Sequence, residues 1–369
     1  MRQLEFGWYL PTNGDTTSFS DADATVAPSP EMMERIILAA ENAGFEYILI
    51  PVVNYCWEAI VVASYLSAKT RNIKPLIAAK PGYVNPVLFA KTMATLDQMT
   101  KGRLAINLIA GQAESDFKSD GIRYSKEQRY ALMAEEVIIM KKLWQSDEPI
   151  DFNGTFHTLS QASIVPEIFQ TPHPTFYLGG GSPEAAEVSV RHADVHLFWG
   201  DTPERIAANI TQLKAKAARH GRGDKIGFGM RLQIMCRETE DAAWQAARKL
   251  IEHGSEANRQ EILENTFNSA ANRRVQELAR EHGEMIGPNL WTGITKVRAG
   301  AGIAIVGNPK QCAAQLQAFI DVGCHSFCLS GFPHDEAATG FARLVRPILA
   351  EANRGRMPGD GRAPGCHPD

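Results

Sequence analysis

The sequence predicts an α/β domain of the (β/α)8 class, a TIM barrel with two inserted segments. Three observations carry this. A cap residue followed by proline opens an amphipathic run at Ser29-Pro30, Asn85-Pro86, Ser182-Pro183, Thr202-Pro203 and Asn308-Pro309. Such pairs start helices, because the cap oxygen accepts a free N–H and proline has none to lose. Gly44, Gly102, Gly221 and Gly323 fall where several of these helices should end. A short apolar stretch follows most of them, giving a repeated strand, turn, helix, glycine order.

The elements follow in order. LEFGWYL, FEYILIP, IKPLIAA and RLAINLIAG read as strands one to four, with helices PEMMERIILAAENA, WEAIVVASYLSAK and PVLFAKTMATLDQMT between them. The second helix is apolar nearly throughout, and Pro75 weakens the start of strand three. QAESDFKSDGIRY then reads as a loop, and Ser125 with Gln128 forms a capping box for a helix through Trp144. IDFNGTFHTL reads as an inserted hairpin, near residues 150–159, closing on Asn153-Gly154. TFYLG and DVHLFWG are strands five and six, and KIGFGMRLQIMCRE is strand seven. The second insertion, helical and then lid-like, runs near 239–302. MIGPNLWTGITKVRAGAGIAIVG within and after it lacks a clear helical period, and VRAGAG is glycine-rich. Helix PKQCAAQLQAFIDV, strand eight SFCLSG and a last helix complete the domain. Residues 1–353 are expected to form one domain and 354–369 a flexible tail. A doubly wound open sheet is the runner-up, but no G-x-G-x-x-G follows strand one.

Composition narrows the function. The 369 residues carry a formal net charge of −4 and are 44% hydrophobic, so a sizeable core is available and nothing draws the chain to nucleic acid or anionic membrane. No apolar run reaches the roughly 18 residues of a membrane span. The N-terminus lacks the layout of a signal peptide. Six cysteines in a chain this long are no disulfide framework, and no C-x-x-C or paired histidine motif suggests zinc. A reducing cytoplasm is the default compartment.

Barrel active sites lie at the C-terminal ends of the strands. The triple glycine Gly179-Gly180-Gly181, followed by Ser182, feeds a helix N-terminus whose free N–H groups suit a phosphate; an ordinary strand-to-helix turn is the alternative. Cys56 follows strand two, where packing is the alternative role. Asn107 sits between apolar neighbours in strand four, before Ala110-Gly111, and could meet a heteroaromatic ring edge or bond to backbone. Arg231 and Gln233 share one face of strand seven. An arginine pointing into a barrel is costly unless it is paired or faces an anion. Trp199 could wall an aromatic ligand or simply be a core aromatic. Ser330 ends strand eight, and His334 stands on the loop above it. Arg298, on the glycine-rich segment read as a lid, could complete an anion site on closure or be a solvated loop charge. The set suggests a phosphorylated aromatic cofactor with a second anion beside it. No Ser-His-Asp pattern, paired carboxylates or metal spacing is present.

ILIPVVNYC, LDQMTKGRLAINLIAG, FNGTFH, YLGGGS, HLFWGD, RHGR, FGMRLQIMCRETEDAAWQAA, PNLWTGITKVRAGAGIAIVG and LSGFPHDE resemble the bacterial-luciferase-like flavin monooxygenases, and within them the alkanesulfonate monooxygenase branch. The matches run in order over nearly the whole chain before the tail. The ordered set NLW…VR-x-GAG…SG-x-PH is specific, although each piece alone is weak. The resemblance implies a TIM barrel that receives reduced FMN (FMNH2) from a separate NAD(P)H-dependent flavin reductase. It implies O2 as co-substrate, adding at flavin C4a, and a peroxyflavin that attacks a small anionic organosulfur compound. For a sulfonate, C–S cleavage gives sulfite and an aldehyde.

By position, the resemblance assigns catalytic roles to Cys56, Trp199, Arg231, Gln233, Arg298 and His334. It assigns cofactor binding to Asn107, Ala110, Tyr130, Gly180, Gly181, Ser182 and Ser330. A homodimer or homotetramer is implied as well. Two positions depart from the branch pattern: Gln233 stands where a histidine is usual, and Phe332 where a tyrosine is usual. These leave open other substrates in the same family, such as a sulfone, a sulfo-sugar or an aminopolycarboxylate, a hydride transfer with a deazaflavin, and a flavin-binding protein without turnover. A pyridoxal-phosphate or sugar-phosphate barrel lyase is more distant, because no lysine stands at a strand end in a Schiff-base context.

Overall fold

The computed structural model describes residues 2–110, 114–266 and 269–358. Eight parallel strands close into a barrel: β1 (Glu5–Tyr9), β2 (Tyr47–Ile50), β3 (Lys74–Ala79), β4 (Ala105–Leu108), β5 (Thr175–Gly179), β6 (Val195–Trp199), β7 (Gly227–Cys236) and β8 (Ser326–Ser330). Each pairs with its neighbour, β6 pairs with β7, and β8 pairs with both β7 and β1, which seals the ring. Alternation sorts the side chains. Tyr47, Leu49, Leu76, Ala105, Tyr177, Val195, Leu197 and Cys328 form one cluster, while Ile48, Ile50, Ile77, Ile106 and Phe176 pack with the helices in another.

The helix starts are those the sequence predicts. Ser29, Asn85, Ser182, Thr202 and Asn308 each accept a backbone N–H from the first turn, with proline next in line. Ser125 and Gln128 make the reciprocal capping box of the helix Lys126–Gln145. Each such bond contributes about 1 kcal/mol to its helix. They also aim the Ser125 and Ser182 helix ends at the mouth of the barrel.

Several elements differ from expectation. The stretch after β4, expected as a loop, contains a short helix, Glu114–Ser119. The helix Ala59–Ser67 is less enclosed than its composition suggests: Ala63 and Leu66 are buried, but Val61 is 68% exposed. The inserted hairpin, Ile150–Asn153 and Thr158–Ala162, does not close on a two-residue Asn-Gly turn. Its turn spans residues 154–157, because the Glu135 carboxylate accepts the N–H groups of Thr155, Phe156 and His157. Three N–H donors on one carboxylate outweigh the local turn preference. The tail boundary also moves. Leu4 N–H donates to the Arg356 carbonyl at 2.7 Å and Met357 is buried, so the chain is held against β1 as far as Met357. The remaining tail, 359–369 with Cys366, lies outside the described residues, as does Gly111.

The second insertion grows out of β7 itself. β7 has ten residues, all buried, and outlasts its neighbour. Its first five pair with β6. From Gln233 to Cys236 it pairs in parallel with an inserted strand, Ala304–Gly307. Leu290–Trp291 and Met285–Gly287 extend that ladder antiparallel. Helices Glu240–Ile251, Glu256–Thr266 and Ala270–His282 precede it. GIAIVG, which lacks a helical period, is therefore a strand.

Candidate active site

A cavity of about 480 Å³ opens at the C-terminal ends of the strands, within the range of small-molecule sites. Asn107 of β4, Trp199 of β6 and Arg231 of β7 reach it, as do Ala110, Tyr130 and the run Gly180-Gly181-Ser182. Arg298 and Ala301 close it from the insertion. Nine of the thirteen sequence-predicted site residues therefore share one chamber.

One end of the chamber is built by backbone. Gly180 has φ +142°, and a Cβ there would lie 2.9 Å from the Ala185 Cβ. At Gly181 a Cβ would meet nothing within 4 Å, so that backbone faces open space. Ser182 caps the helix Pro183–His192 and hydrogen-bonds Tyr130, which ties the turn to the helix Lys126–Gln145. Ser125 and Lys126 border the same space, so two helix N-termini meet here. Lys126 is engaged at 2.8 Å by Glu184, whose pKa is lowered to about 2 chiefly by that bond and then by one from Ser182.

The other end holds two guanidinium groups. Arg231 stands beside Trp199 in the β6–β7 register. Its carbon lies 4.6 Å from the Tyr9 ring centroid, and Nη1 donates to Leu232 O and Ser330 Oγ, both at 2.9 Å. Burial lowers its pKa from the ordinary value. Among the described residues, Arg298 donates to the neighbouring Ala299 carbonyl at 3.2 Å. Among the described residues neither arginine forms an ion pair with a carboxylate; Glu127 is the acidic residue lining the chamber.

The other four predicted residues lie outside the chamber wall. Gln233 and Ser330 are fully buried and bond to each other, behind Arg231. Gln233 Nε2 also donates to Ala301 O at 3.2 Å, so a continuous chain joins Arg231 to the lid. Cys56 lines an adjoining groove instead, and burial raises its thiol pKa. His334 is not on a solvated loop. It opens the helix His334–Leu344, is 1% exposed, and donates from Nδ1 and from its backbone N–H to Asp15 at 2.7 and 2.8 Å.

The profile described as luciferase-like monooxygenase matches residues 4–326. The chain belongs to the luciferase-like monooxygenase family. This luciferase-like monooxygenase is similar in fold to solved structures of low identity. Riboflavin lyase RcaE, with modified FMN and substrate riboflavin, is 18% identical with TM-score 0.79 over 98% of this chain and 94% of that one. DmoA from Hyphomicrobium sulfonivorans is 18% identical with TM-score 0.78 over 98% and 91%. EDTA monooxygenase EmoA from Chelativorans sp. BNC1 is 16% identical with TM-score 0.75 over 97% and 95%. At these identities the likeness shows the fold. No helix among the described residues is long and apolar enough to cross a membrane.

Three residues of this luciferase-like monooxygenase escaped the sequence reading. Tyr9 lies under Arg231, and its position at the end of β1 was the signal for it. Asp15 partners His334 across 319 positions, with no local signal. Ser269 brings the N-terminus of the helix Ala270–His282 to the chamber from within the insertion.

Proposed function

We propose that the protein is the oxygenase of a two-component system, using FMNH2 and O2 to cleave a small organosulfonate into sulfite and an aldehyde. The observation that carries this is the pair of guanidinium groups, Arg231 and Arg298, that form no ion pair among the described residues, on a chamber that also contains a glycine-lined helix start. The residues fit FMN. Gly181 leaves open space beside its backbone and Gly180 allows the positive φ of the turn, Ser182 and Tyr130 supply hydroxyls, and Asn107 supplies an amide at the chamber wall.

Bound reduced flavin would supply the activation of oxygen. The chain's own residues do the rest. Gly181 and Ser182 hold the phosphate at a helix N-terminus. Arg231 and Arg298 bind the sulfonate oxygens, a task suited to the planar guanidinium fork. Tyr9 and Ser330 fix the plane of Arg231. The 299–301 segment shields the reacting atoms from water, which strengthens every charge contact inside. The reading includes a separate NAD(P)H-dependent flavin reductase and self-association into a dimer or tetramer.

The test is a panel of sulfonates with a flavin reductase, FMN and NAD(P)H, read as sulfite. Sulfite should appear only when all components are present. Failure to release sulfite from any member would overturn the sulfonate assignment.

A further inference from the structure

Cys236 and Cys312 meet at the root of the second insertion. Cys236 ends β7 and pairs with Gly307 in the added ladder. Cys312 lies in the helix Pro309–Asp321, and its Sγ donates to the Gly307 carbonyl at 3.5 Å. One residue, Gly307, thus holds both cysteines in place. The two cysteine side chains also interact with each other, and neither sulfur is in a disulfide.

The two sulfurs are not equivalent. Cys312 is sealed, while Cys236 is 8% exposed and lines a surface groove of about 520 Å³ with Arg237. The neighbouring Cys312 side chain holds the Cys236 thiol below its ordinary range; burial opposes this and the Arg237 charge assists. The same contact and its own burial push Cys312 far up. A groove-facing thiolate source backed by a second thiol in contact is the arrangement of an oxidisable pair.

We propose that Cys236 and Cys312 form a peroxide-sensitive dithiol site that closes into a disulfide across the stem of the insertion. The Cys236 thiolate attacks one oxygen of hydrogen peroxide and becomes a sulfenic acid. The departing hydroxide takes up the thiol's proton as water. The Cys312 sulfur then attacks the Cys236 sulfur, forming S–S, and the displaced hydroxide leaves with the Cys312 proton as a second water. Two thiols are oxidised and one peroxide is reduced to two waters. Residues 237–311, including Arg298, become a loop closed by a covalent bond at its root. The site does not depend on the substrate of the neighbouring chamber.

The experiment treats the whole protein with a few equivalents of hydrogen peroxide, alkylates free thiols, and maps peptides by mass before and after dithiothreitol. The expected product is a cross-linked pair containing residues 236 and 312 that the reductant separates. In Cys312→Ser, dimedone should instead trap the oxidised Cys236. The proposal is overturned if both cysteines remain alkylatable while Cys56 oxidises, or if wild-type Cys236 accumulates a dimedone adduct with Cys312 present. The wild-type measurement stands alone, so poor folding of the variant leaves the test intact.

Discussion

Asp15 binds His334 twice: one carboxylate oxygen accepts the ring Nδ1–H at 2.7 Å and the other accepts the backbone N–H at 2.8 Å. The contact replaces the missing cap of the helix His334–Leu344, whose N-cap residue is Pro333. It also fixes the imidazole against Tyr9, 6.1 Å away between ring centroids, and Tyr9 in turn supports Arg231. Burial alone would raise the Asp15 pKa, but the charge and hydrogen bonds of His334 reverse this and hold it below the ordinary value. The contribution is therefore complete above pH ~4 and lost as pH falls through the lowered folded value. Asp15→Asn should cost about 3 kcal/mol at pH 7. Urea unfolding at several pH values checks this: the gap between wild type and variant should shrink in acid, and a constant gap would contradict the assignment.

Glu136 titrates the other way. Burial is the main cause that raises its pKa to about 7, with the Gly82 N–H opposing and Glu135 assisting. The folded chain therefore binds a proton that the unfolded chain has released, and stability falls as pH rises from about 4.5 towards 7. Glu136→Gln keeps an acceptor for Gly82 and removes the ionisation. It should remove roughly 2–3 kcal/mol of that pH dependence and make the variant more stable than wild type at pH 8. Thermal unfolding midpoints across pH 5–8 measure it; parallel curves would reject it.

At the turn before the helix Pro183–His192, Gly180→Ala and Gly181→Ala should separate sterics from backbone strain. The first combines a positive φ with a 2.9 Å approach to Ala185 and should lower both thermal stability and affinity for reduced flavin. The second meets no protein atom and should leave stability nearly unchanged. If a phosphate approaches that backbone, it should still weaken binding about tenfold or more, equivalent to roughly 1.4 kcal/mol. Anaerobic flavin titration decides the matter.

The helix Ala270–His282 carries the lid. Asn272 Oδ1 accepts the Gly300 N–H at 2.9 Å, and Arg274 Nε donates to Asp201 Oδ2 at 2.8 Å, at the end of β6. Arg274→Ala should raise amide exchange across 270–301 while leaving β1 to β6 protected. It should also raise KM for an anionic substrate more than it lowers kcat, because Arg298 would be less well placed. Unchanged exchange in that segment would show the lid to be held by other contacts.

The barrel was legible because its punctuation is chemical and local. Ser29, Asn85, Ser182, Thr202 and Asn308 act within one helical turn, so each start could be read directly. Arg231, Trp199 and Asn107 were equally readable, since strand alternation and the barrel's polarity place them. What the sequence hid was decided over distance. Asp15 and His334 meet only after the barrel closes. The hairpin turn obeys Glu135, which lies on a preceding helix. Gln233 was expected in the pocket, but Ser330 and Ala301 hold its amide away from it.

The fork in β7 has an architectural result. Above Gln233 the strand's backbone is satisfied on one side by the inserted residues 304–307. Deleting 239–307 to obtain a minimal scaffold would expose Gln233 to Cys236 as a raw, apolar edge with unfilled N–H and C=O groups. Such a truncate would trade its missing neighbour for a second molecule and aggregate edge to edge.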